Sequence, residues 1–164
     1  MEIKKISHYA ILSALITAIS LVVVIPIPGT NGIVTLCDVG IAVTALLFGP
    51  IAGLFVGAIS GGFIDLLAGY PQWIFFSLVI HGLEGFMFGY FFQQKNVAKV
   101  LGLILGAIIM VVGYALATNL LYGFGAGIAS IPSNFCQAGF GVIVAIPLVK
   151  ILKKATGNRL KYNS

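Results

Sequence analysis

Gly49-Pro50-Ile51-Ala52-Gly53-Leu54-Phe55-Val56-Gly57-Ala58-Ile59-Ser60-Gly61-Gly62-Phe63-Ile64-Asp65-Leu66-Leu67 carries one ionisable group, Asp65, in an otherwise apolar or small-residue run. A Gly-Pro break opens it, and the turn sequence Ala68-Gly69-Tyr70-Pro71 follows it. Residues 51–67 approach the length needed to cross the hydrocarbon of a bilayer. Gly49, Gly53, Gly57 and Gly61 recur every four residues, so they share one helix face. Small residues on one face let a neighbouring helix approach closely, and packing inside this protein is the expected use of the row. Gly85-Gly89 and Gly102-Gly106 repeat the spacing.

The pattern continues on both sides. Further spans are expected at about 6–25, 36–48, 72–92, 100–122 and 131–152, giving six with 51–67. The stretch 27–35, the turn 68–71 and the glycine-rich turn 123–130 connect them at one face, and the polar segment 93–99 lies at the other. Composition agrees: the chain is 60% hydrophobic and 8% charged, against roughly 25% charged in soluble domains. A water-soluble fold of 164 residues could not hide so much apolar surface. The expected fold is all-α, a polytopic six-helix bundle forming one membrane domain over 1–164. Lys4-Lys5 before an apolar run resembles a signal peptide, but the run is span-length and lacks a small-x-small cleavage site.

Charge placement tests the count. Lys4, Lys5, Lys95, Lys99, Lys150, Lys153, Lys154, Arg159 and Lys161 are the only basic side chains besides histidine. With six spans they all fall on one side, which predicts that both termini are cytoplasmic in a multi-pass membrane protein. They do not form the stripe of a nucleic-acid-binding face.

Of four acids, Asp38, Asp65 and Glu84 lie in expected spans, where an ionisable residue is a functional candidate. Asp38 and Asp65 sit near the outer face. Trp73 begins the fourth span there, His81 is roughly 13 Å deeper at the helical rise, and Glu84 is a turn deeper on the same helix face. Asn119, near Thr118 and Tyr122, and Asn134 and Gln137 complete a polar set in the outer half. Each residue has a plainer use. Asp38 can cap a helix, Asp65 can be solvated at a helix end, Trp73 and Tyr70 can anchor in an aromatic belt, and His81–Glu84 can be a structural pair. Asn119, Asn134 and Gln137 can make interhelical hydrogen bonds alone. Their shared depth favours a cavity open to the outside. Cys37 and Cys136 form no CxxC pair and read as small buried residues, with a disulfide left open.

Catalytic templates are absent: no GxSxG, HExxH or Walker A loop occurs. No enzyme, cofactor or metal site is expected, since His8 and His81 differ too much in depth to share an ion, and Ser77 one turn from His81 is a weak nucleophile signal. The expected cavity has carboxylates, amides, a histidine and aromatics but no Lys or Arg. It suits a small planar heterocycle, neutral or weakly basic, that stacks on Trp73 or a tyrosine and pairs a ring nitrogen with a carboxylate. Ala10, Ala14 and Ala18 form a small-residue row on the first span that packs either internally or on another membrane protein.

Leu46-Leu47-Phe48-Gly49-Pro50-Ile51-Ala52-Gly53, Asp65-Leu66-Leu67-Ala68-Gly69-Tyr70, Trp73 and His81-Gly82-Leu83-Glu84-Gly85 resemble the S components of energy-coupling factor (ECF) vitamin transporters over roughly 1–155. Within that family the chain is most similar to the branch assigned to vitamin B6 or hydroxymethylpyrimidine, whose members are often labelled riboflavin-type. The resemblance implies a six-helix bundle, a vitamin pocket near the outer face and a first loop, about 27–35, that helps cover it. It implies that Ala10, Ala14 and Ala18 dock on a transmembrane coupling subunit served by two ATPases, with toppling of the S component releasing the vitamin inside. Asp38, Asp65, Trp73, His81, Glu84, Asn119, Asn134 and Gln137 are the expected pocket residues. Without Lys or Arg, folate and pantothenate fit poorly. Riboflavin or another vitamin, an autonomous facilitator, an intramembrane enzyme at His81–Glu84 and a purely structural subunit are the rival expectations.

Overall fold

The computed structural model describes residues 3–92, 94 and 96–156. Lys95, Arg159 and Lys161 of the basic set therefore lie outside the described residues. The order is α1 (Ile3–Val22), β1 (Ile25–Ile27), β2 (Gly32–Val34), α2 (Cys37–Phe48), α3 (Pro50–Ala68), α4 (Ile74–Phe92), α5 (Asn96–Tyr122) and α6 (Phe124–Ala155), with a 3-10 turn at Pro71–Trp73 before α4. Among the described residues five helices are long and apolar enough to cross a membrane, and α2 is the exception. Its 12 residues rise only about 18 Å, against a hydrocarbon core of about 30 Å.

Several boundaries differ from expectation: α1 runs over Ile3–Val22 instead of 6–25, α5 begins at Asn96 inside the expected 93–99 connection, and α6 runs over Phe124–Ala155 instead of 131–152. The expected first span reaches residue 25, but α1 ends at Val22 and Ile25–Ile27 pairs antiparallel with Gly32–Val34. Pro26 biases Ile25 away from helical geometry, and neither Pro26 nor Pro28 can donate to a helix. The stretch 123–130 was expected to be a turn, but only Gly123 breaks the chain, at φ 90, and α6 starts at Phe124. Gly127 is there for close packing: a Cβ on it would sit 2.8 Å from the Ala115 carbonyl oxygen of α5. Pro132 and Pro147 lie inside α6, as neighbouring helices permit in a membrane bundle.

The glycine rows pack internally as expected. A Cβ on Gly53 would lie 2.2 Å from the Gly85 carbonyl oxygen, and one on Gly57 2.3 Å from that of His81. The α3–α4 contact is the most extensive in the bundle. Gly102 and Gly106 of α5 receive the Phe91 and Phe88 side chains of α4. Helix α2 is central, touching α1, α3, α4 and α6. Large apolar side chains such as Leu66, Phe75, Leu120, Phe135 and Ile143 point outward, while Asp38, Asp65, His81 and Glu84 are buried. Bulk apolar outside and charge inside is stable only where hydrocarbon is the solvent.

The two ends of the bundle differ in chemistry. Lys99 of α5 and Lys153 of α6 both lie over the Phe92 ring at the end of α4, 5.2 and 5.5 Å from its centroid. At the opposite end Trp73 meets Tyr122 and the β1–β2 hairpin.

A roofed polar cavity between five helices

The hairpin is held from inside and below. Thr30 Oγ1 donates to the Ile27 carbonyl and accepts from the Gly32 N–H, closing the turn. Asn31 has φ 48, a left-handed conformation that asparagine tolerates. Its carbonyl accepts a 2.7 Å hydrogen bond from Trp73 Nε1. Trp73 is 3% exposed and leans on Phe76, Tyr114 and Tyr122. It latches the hairpin and walls the space beneath it; it is not an interfacial belt residue.

That space is a polar cavity. Ile27, Thr30 and Ile33 roof it; Asp65 of α3, Ser77 and His81 of α4, Tyr114 and Thr118 of α5, and Ser130, Asn134 and Gln137 of α6 line it, with Cys37 at the start of α2. Its volume, taken over the positions that the centre of a water-sized sphere can occupy, is ≈ 30 Å³. A single water needs about 10–15 Å³ on that measure, so this conformation admits waters, and an aromatic ring needs the roof to lift.

Gln137 ties the roof to the floor. Its Oε1 accepts the Thr35 N–H at 2.7 Å and its Nε2 donates to Asp38 Oδ1 at 3.2 Å. Thr35 Oγ1 in turn accepts the Cys37 N–H, a local turn bond at the start of α2. His81 Nδ1 is 3.0 Å from Glu84 Oε2 and 3.5 Å from Asp38 Oδ1. Nδ1 is thus the ring atom that faces both carboxyl groups, and Nε2 makes no hydrogen bond among the described residues. Ser77 and Tyr114 exchange a short hydroxyl–hydroxyl bond. Asp65 borders the cavity, and its buried Oδ2 makes no hydrogen bond among the described residues. The Asn134 amide borders it too, with no hydrogen bond among the described residues.

Five of the eight expected residues line the cavity: Asp65, Trp73, His81, Asn134 and Gln137. Asp38 and Glu84 lie behind it and reach it through His81 and Gln137. Asn119 does not take part: it is exposed and packs on Gly127. Being one residue from Thr118 turns it off the inward face of α5, which Thr118 and Tyr114 occupy at a spacing of four. Tyr114 and Ser130 were not among the expected residues, and Thr30 and Thr35 entered only as part of the covering loop 27–35 that the resemblance implies. Tyr114 was legible as an aromatic one turn before Thr118; the hairpin gave no such signal. Cys37 and Cys136 are both free, and Cys136 is exposed, so only Cys37 fits the expectation of two buried residues. Ala10, Ala14 and Ala18 are all exposed.

The profile of the "ECF-type riboflavin transporter, S component" family matches residues 1–154. The chain belongs to that family, whose members are membrane-embedded transporter components and not enzymes. A Pyrococcus woesei protein described as "Uncharacterized protein in gap 3'region" is 39% identical over 144 residues, 87% of this chain and 97% of the relative. A second relative, "Thiamine precursor transporter HmpT" of Lactococcus lactis subsp. cremoris (strain MG1363), is 38% identical over 152 residues, 92% of this chain and 86% of its own length. A solved structure described as "Structure and mechanism of the S component of a bacterial ECF transporter" superposes with a TM-score of 0.68 at 22% identity, covering 96% of this chain and 98% of the other. It shares the fold.

Proposed function

We propose that this chain captures a small vitamin or vitamin precursor at the outer face of the membrane for ATP-driven uptake by an ECF-type importer, hydroxymethylpyrimidine first and pyridoxine-type B6 second. The observation that carries this is a roofed cavity offering an unpartnered carboxylate oxygen on Asp65, the free Nε2 of His81 and the Asn134 amide, beside Trp73, with no Lys or Arg. Asp65 accepts an N–H or O–H of the ligand, His81 meets a ring heteroatom, and Trp73 stacks on the ring as the hairpin closes. A precursor-transporter relative at 38% identity supports the pyrimidine.

In this reading both termini are cytoplasmic, α2 with the hairpin completes a sixth crossing, and the exposed Ala10–Ala14–Ala18 row seats the coupling subunit that brings two ATPases. Riboflavin is the second reading, favoured by the description of the family. Its three fused rings demand a far larger opening than a pyrimidine. The test is titration of purified, detergent-solubilised protein with hydroxymethylpyrimidine, pyridoxine, pyridoxal, riboflavin and pantothenate. Trp73, the only tryptophan, reports by fluorescence and calorimetry reports silent binding. Saturable tight binding of one pyrimidine or pyridine, weakened in His81→Ala and Glu84→Gln, is expected. Wild-type affinity in both variants refutes the site, and tight riboflavin binding refutes the ligand class.

A further inference from the structure

Cys37, Asp38 and His81 form a set that vitamin binding does not use as a set. Cys37 Sγ, one Asp38 oxygen and one His81 nitrogen all lie within 4.8 Å of one another, and all three residues are buried. A tetrahedral ion with bonds of about 2.0–2.3 Å holds its ligands roughly 3.3–3.8 Å apart, so a small inward movement of side chains closes the set. Sequence distance hides it: α2 brings the adjacent pair Cys37–Asp38 against His81, 43 and 44 positions on, because glycines at 53, 57 and 85 let α3 and α4 pack tightly beneath.

An independent observation points to a cation. Asp38 Oδ2 is fully enclosed and makes no hydrogen bond among the described residues, while the sequence from 6 to 94 holds no Lys or Arg. Enclosed carboxylate lone pairs without donors are costly unless a positive group meets them. Glu84 also holds the His81 ring through Nδ1, as carboxylates behind ligating histidines commonly do. Sulfur, imidazole nitrogen and one carboxylate select a borderline-soft ion over magnesium or calcium, which prefer oxygen alone.

We propose that Cys37, Asp38 and His81 bind one divalent cation of the zinc class, with Glu84 orienting the imidazole. Cys37 binds as thiolate and its proton leaves to solvent. Cys37 and His81 both border the cavity, so the fourth position opens into it, for water or a donor atom of a bound ligand. The ion ties the start of α2 to α4. It shares His81 with the vitamin proposal, but a cation can be counted whether or not any vitamin binds.

The test uses the purified full chain in detergent, freed of metal and titrated with Co²⁺, then Zn²⁺. One Co²⁺ per chain is expected, with a sulfur-to-cobalt charge-transfer band that Zn²⁺ displaces. Cys37→Ser abolishes the band and weakens Zn²⁺ binding at least tenfold; Cys136→Ser, at the exposed cysteine, leaves both unchanged. Thermal unfolding of the wild type with and without Zn²⁺ gives a readout that needs no variant, and a rise in midpoint is expected. No stoichiometric Co²⁺ binding, an unchanged midpoint, or a band that survives Cys37→Ser overturns the proposal. Vitamin titration of the same metal-free and metal-loaded samples separates the two proposals.

Discussion

Replacing Gln137 with leucine tests whether one side chain couples the roof of the cavity to its floor. Leucine keeps most of the volume but removes both polar ends. The Thr35 N–H loses a 2.7 Å bond and Asp38 Oδ1 loses its 3.2 Å donor, both in buried surroundings. A neutral bond contributes about 0.5–1.5 kcal/mol and one to a charged group about 1.5–3 kcal/mol, so the substitution should cost about 2–4 kcal/mol. For a chain of this size that lowers the unfolding midpoint by roughly 5–15 °C. Gln137→Ala should cost less, because the vacated space adjoins the cavity and water can re-pair the stranded groups. Thermal unfolding in one detergent, read by Trp73 fluorescence, compares the three proteins. If leucine is no worse than alanine, or lies within about 1 °C of wild type, the Gln137 bridge does not hold α2 and the hairpin together.

Three other outcomes follow from named contacts. Trp73→Phe keeps an aromatic wall but removes the bond to the Asn31 carbonyl, worth about 1 kcal/mol, and should speed ligand release about fivefold in stopped-flow chase; an unchanged off-rate rules out the latch. Gly85→Val pushes a side chain into the Gly53 backbone, 2.3 Å from its carbonyl oxygen, and should destabilise by about 1–3 kcal/mol or more. Gly125→Ala, with open space at its Cβ, should instead be neutral or stabilise by up to about 1 kcal/mol, and equal effects of the two would refute the packing role of the α3–α4 glycines. Ala14→Leu should reduce recovery of the assembled transporter while leaving vitamin affinity intact, and normal assembly would dismiss the alanine row as the docking face.

The helices were legible because the segments between them are punctuated chemically. Gly49-Pro50, Gly69-Tyr70-Pro71 and Gly123 each stop a helix, and α2, α3 and α4 fall within two residues of their expected bounds. The hairpin was not legible as strands: three-residue strands carry no period, and Pro26 argues against one. The 123–130 stretch misled because glycine marks a turn and a close helix contact with the same letter. In the site, burial cost singled out Asp38, Asp65 and Glu84 correctly as interior groups. Which of them touches open space depends on rotations about α2 and α4 that apolar composition on all sides does not encode. The Cys37–Asp38–His81 convergence was invisible because only the tertiary path of α2 creates it.

The brevity of α2 has a mechanical consequence. Along the flank between α1 and α6, hydrocarbon meets not a full helix face but a groove of ≈ 520 Å³ walled by Leu15, Ile19, Val43, Leu47, Val144 and Leu148. Hydrophobic mismatch is therefore one-sided. A thicker bilayer must dimple or fill the groove there while fitting the longer helices elsewhere, and such distortions cost fractions of a kcal/mol per Å. The elastic force acts off-centre, as a torque that leans the molecule in the membrane. Lipid chain length should thus shift its tilt even with the cavity empty, measurable by oriented infrared dichroism in short- and long-chain bilayers.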